Sequence, residues 1–68
     1  MSQLEVLDQL KEELEAAIRQ AKAAQEQLTQ NMAAMTDDEM DAYMAAELTI
    51  TQARRLIRRY ERRREALQ

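Results

Sequence analysis

Met35-Thr36-Asp37-Asp38-Glu39-Met40 stands at the middle of the chain, and its reading decides the fold. Thr36 precedes Glu39 by three residues, the spacing of a capping box. In that motif the hydroxyl accepts the Glu39 N–H while the Glu39 carboxylate accepts the Thr36 N–H. Met35 and Met40 fall where a hydrophobic staple would hold the entering chain. Asp37, Asp38 and Glu39 set three negative charges on the positive end of a helix dipole. The stretch therefore reads as a helix start. Ser2-Gln3-Leu4-Glu5 repeats the pattern, with Met1 and Val6 as its staple.

Two helix starts predict helix 1 over about 3–33, a turn at about 34–36 and helix 2 over about 37–66, within one domain, 1–68. The alternative is one continuous helix of about 100 Å in a long coiled coil. It would leave the mid-chain capping box unused inside a helix, and the box argues against it.

Composition points the same way. The chain has no Gly and no Pro, the residues that tight strand-to-strand turns need, and Ala, Leu, Glu, Gln, Arg and Met dominate. It also has no Cys and no His, which removes disulfides and the usual zinc sites as sources of stability. A chain of 68 residues without such staples depends on helix packing, a second copy or a partner. No apolar run approaches a membrane span and no signal-peptide pattern precedes the first helix, so a cytoplasmic protein with no membrane partner is expected.

Each predicted helix carries an apolar seam at steps of three and four, one helix face. On helix 1 it is Leu7, Leu10, Leu14, Ala17, Ala21, Ala24, Leu28 and Met35; on helix 2 it is Tyr43, Ala46, Ile50, Ala53, Ile57, Tyr60 and Leu67. Folding at 35/36 brings together residues whose numbers sum to 71: Leu4 with Leu67, Leu14 with Ile57, Ala21 with Ile50, Leu28 with Tyr43. Alanines in the middle of both seams predict close approach there. Residues 1–15 hold five acids and one base, and 54–64 hold seven Arg and one Glu. Antiparallel folding sets these segments side by side. Arg64 falls on the seam and needs an acid across it, such as Asp8.

The expected fold is thus all-α, an antiparallel two-helix hairpin, dimerising into a four-helix arrangement. A seam this short leaves a lone hairpin marginal against the entropy of ordering it, which motivates the homodimer.

The inventory for chemistry is poor. Without His or Cys the commonest general base and the thiol nucleophile are missing, and without Gly there is no phosphate-cradling loop. Ser2, the only serine, is explained by its cap. Asp37, Asp38, Glu39 and Asp41 lack the spacing and the glycine of a calcium loop. No catalytic, cofactor-binding or metal-binding residue is assigned, no cofactor is expected, and the protein is read as a non-enzyme.

The unusual feature lies on helix 2, on the side away from its seam. Met40, Met44 and Leu48 come first, followed by Thr51, Arg55, Arg58, Arg59 and Arg62, with Arg54 and Arg63 at the flanks. The corresponding side of helix 1 is mixed and polar: Glu5, Asp8, Glu12, Glu15, Arg19, Lys22, Glu26. Four of the five methionines, Met32, Met35, Met40 and Met44, gather at the turn, and flexible Met-rich surfaces suit protein docking. The patch is either a partner site or the homodimer core. The arginine half suits an acidic protein, nucleic acid through the Arg54–Arg64 stripe, or solvent alone. Against nucleic acid stand the net charge of −3 and the lone aromatic of the run, Tyr60, which belongs to the seam. Arginines near a helix C-terminus are also favoured by the dipole, and Glu61 and Glu65 can pair with neighbouring turns.

A hairpin turning at Thr36–Glu39 with one decorated face from Met40 to Arg63 resembles the small helical accessory proteins with which temperate phages bind and disable host proteins, including anti-activators of bacterial transcription regulators. Antitoxins, small secretion chaperones and assembly factors share this architecture. The resemblance implies a protein-binding inhibitor or adaptor and assigns no residue. The expected site is the face Met40, Met44, Leu48, Thr51, Arg55, Arg58, Arg59 and Arg62, docking on a larger protein such as a transcription regulator. The alternatives are nucleic-acid binding and a structural dimerisation or assembly module.

Overall fold

The computed structural model describes residues 2–30 and 35–68. It contains two helices, α1 (Gln3–Thr29) and α2 (Asp37–Leu67), packed against each other along their length. No strand occurs among the described residues. The hairpin is a rod of 50 × 16 × 13 Å.

Both helix starts lie at the expected caps. At α2 the capping box is complete: Glu39 N–H donates to Thr36 Oγ1 at 3.2 Å and Thr36 N–H donates to Glu39 Oε1 at 3.2 Å. Met35 and Met40, the expected staple pair, border a common cleft. At α1 a single arm forms, Glu5 N–H to Ser2 Oγ at 3.2 Å, and the Glu5 side chain stays exposed. The staple residue Met1 lies outside the described residues.

Helix α1 is assigned through Thr29, with Gln30 as its C-cap. The Thr29 hydroxyl turns back to donate to the carbonyls of Gln25 (2.9 Å) and Glu26 (3.1 Å). This back-bonding engages carbonyls of the last turn. Residues 31–33 of the expected helix, Met32 among them, and the first turn residue, 34, lie outside the described residues. Helix α2 runs one residue beyond the expected 66.

The seams meet as the periodicity requires. Ile50 and Ala53 are buried, and Tyr43, Ala46, Ile57 and Tyr60 are partly buried beside them. Opposite them Leu7, Leu10, Leu14, Ala17, Ala21 and Leu28 are partly buried. Two seam assignments are corrected. Ala24 is exposed and Gln25 takes its place. A helix of 3.6 residues per turn drifts against a strict 3.5 repeat, so the inward position slips by one residue along α1. Leu67 is also exposed, at the fraying end of α2, where it borders a cleft with Gln3, Val6, Leu7 and Arg63.

Polar side chains pin the register. Arg64 donates to both carboxylate oxygens of Asp8 (2.7 and 3.4 Å), and Lys11 pairs with Glu61 at 3.3 Å. Near the turn Gln25 Nε2 donates to Glu47 Oε2 at 2.8 Å and to the Tyr43 carbonyl at 3.4 Å. The pairs 8–64, 11–61 and 25–47 each sum to 72, one step from the expected 71. Arg64 and Gln25 occupy seam positions, so these contacts correct the expected register by one residue, centring the fold on Thr36 rather than between 35 and 36. Arg64 thus finds the acid its seam position calls for.

Candidate docking face on the second helix

Packing the Ile50–Ala53 side of α2 against α1 turns the opposite side outward. All eight residues expected there, Met40, Met44, Leu48, Thr51, Arg55, Arg58, Arg59 and Arg62, are exposed on it. Met40 is 54% exposed, Leu48 57% and Met44 65%. Large apolar side chains this open, adjacent on one face, form a patch rather than scattered surface residues. Beside it a cleft of about 290 Å³ opens between Thr29, Met35, Met40, Tyr43 and Met44. Its lining is nearly all apolar and suits one inserted aliphatic or aromatic side chain.

The arginine half is equally uncommitted. Arg64 alone of the run is drawn into the hairpin, by Asp8. Arg54, Arg55, Arg58, Arg59, Arg62 and Arg63 are exposed and make no ion pair or side-chain hydrogen bond among the described residues. The intramolecular role for the stripe is therefore confined to Arg64. Thr51 donates its hydroxyl to the Glu47 carbonyl at 3.1 Å, so it presents no free donor between the two halves.

Two residues of this face escape a reading of residue types alone. Asp37, taken as a dipole charge, and Asp41, weighed only against a calcium loop, also lie exposed on the outer side. Positions 37, 41, 44, 48, 51, 55, 58 and 62 advance by alternating steps of four and three. That is a second heptad-like stripe, opposite the seam. Read from the turn it is acid, acid, apolar, apolar, threonine, then three arginines. Extending the helical wheel to the first turn of α2 would have revealed it. Gln25 was likewise missed: its amide bridges both helices, a role that solvent-facing polarity did not suggest.

Among the described residues no group of three His, Cys, Asp or Glu side chains converges to hold a metal ion. No helix of the described residues is long and apolar enough to cross a membrane. Fold and face together define an all-helical hairpin with one decorated side. No protein-family model, curated protein or solved structure matches the chain.

Proposed function

We propose that the protein is a small non-enzymatic binding module that acts in the cytoplasm as a homodimer and docks on a larger protein through the outer face of α2. The supporting observation is the exposed stripe from Met40 to Arg62, apolar and then cationic, whose arginines make no ion pair among the described residues. The phage anti-activators that the hairpin resembles suggest an inhibitor or adaptor of a host transcription regulator.

Magnitudes argue that both halves of the face are used. Complete burial of a Met or Leu side chain contributes roughly 1.5–3 kcal/mol. Three such side chains, each somewhat more than half exposed, would supply roughly 3–5 kcal/mol from this chain. Association costs about 4–15 kcal/mol in lost freedom. The apolar patch alone is too small, and an acidic partner surface over the arginines adds affinity and steers the encounter. Replacing Arg55, Arg58 and Arg59 together with Glu is expected to leave the helical circular dichroism intact and abolish capture of the partner from host lysate. If every captured protein still binds, the arginine half of this reading fails.

Nucleic acid is a second reading, favoured by six arginines without partners on one helix. It requires duplex binding that falls steeply with salt, because phosphate contacts release counterions. A flat gel-shift titration at low salt would remove it.

A further inference from the structure

The outer stripe of α2 is self-complementary in one direction only. Laid antiparallel on a second copy, with positions summing to 92, Met44 faces Leu48, Asp41 faces Thr51 and Asp37 faces Arg55. The two-fold axis repeats each layer, so the apolar pairs lie at the centre and acid–base pairs close both ends. A parallel, in-register dimer would instead stack Asp37 on Asp37, Asp41 on Asp41 and Arg55 on Arg55. Like charges directly opposed across an interface disfavour it.

The stretch from 37 to 55 gives an overlap of about 28 Å at 1.5 Å per residue.

We propose that a second copy of this chain docks antiparallel along residues 37–55 of α2, with Asp37 of each copy paired to Arg55 of the other. The two hairpins then form a single layer of four helices. The arginines beyond 55 extend past the paired stretch at both ends of the dimer. This rests on the homodimer reading above and narrows the larger protein's share of the face to the distal arginines, because the second copy covers Met44 and Leu48.

Sedimentation equilibrium of the intact chain is the test, with circular dichroism confirming the fold of each variant. Asp37→Arg and Arg55→Asp are each expected to weaken the dimer about tenfold or more, and the double swap to restore it. Because the chain has no cysteine, orientation can be read by oxidation. A mixture of Met44→Cys and Leu48→Cys chains should give the mixed disulfide in preference to Met44→Cys homodimers. A dimer that ignores both swaps, is not restored by the double swap, or cross-links Met44→Cys to itself overturns the antiparallel docking while the homodimer stands. A wild-type chain that stays monomeric throughout overturns the homodimer as well, leaving the foreign-protein reading to its own test.

Discussion

Thr36 carries more of the fold than its size suggests. Its hydroxyl and backbone N–H both engage Glu39, closing two donors at the start of α2. Loss of such a cap costs about 1 kcal/mol. Thr36→Ala is therefore expected to lower the melting temperature by about 4–8 °C in a domain of this size. Ser2→Ala should cost less, because a single arm of its box forms. Calorimetry of the two variants compares them directly. The Thr36 box was legible because residue type and spacing alone define it. Gln25 was not: a glutamine among alanines reads as surface until the opposite helix supplies Glu47 and the Tyr43 carbonyl.

The two elements differ in what their sequences disclose. Helix α2 was readable at both ends, since a capped start and a periodic seam bound it. The expected end of α1, at 33, lies outside the described residues, and no glycine in the sequence marks it. Ala24 misled because a small apolar residue fits either side of a helix, and the drift of the seam decides which. The most deeply buried side chains of the seam are Ile50 and Ala53. Ile50→Ala removes core volume at a cost of about 2–5 kcal/mol, a large share of the ~5–15 kcal/mol typical of a domain. Urea denaturation should show most of the cooperative transition lost. The Arg64–Asp8 and Lys11–Glu61 bridges are half-exposed. Asp8→Asn or Glu61→Gln should shift the urea midpoint by under about 1 kcal/mol equivalent. Their value lies in setting which residues stand opposite each other.

At the scale of the molecule, the hairpin has one covered seam and one open stripe. The apolar-to-cationic order of that stripe was legible from a helical wheel. Its acidic beginning was hidden because Asp37 already had an explanation as a helix-dipole charge and Asp41 was weighed only against a calcium loop. Met44→Glu separates the remaining uses of the face by light scattering. A dimer built on the stripe should collapse to hairpin monomers of unchanged helicity, because Met44 touches solvent rather than α1 over most of its surface. An intact dimer would place self-association elsewhere and free the patch for a foreign protein. The paired stripes of α2 also have a consequence for how the chain can vary. On the proposed docking, one string of 31 residues must satisfy two masks on opposite sides, while α1 answers to one. A saturation library should therefore tolerate replacements along the outward side of α1. On α2 they should be confined to the two narrow lanes between its stripes. The outward side of α1 is accordingly where a fluorophore or an affinity tag can ride without touching either contact.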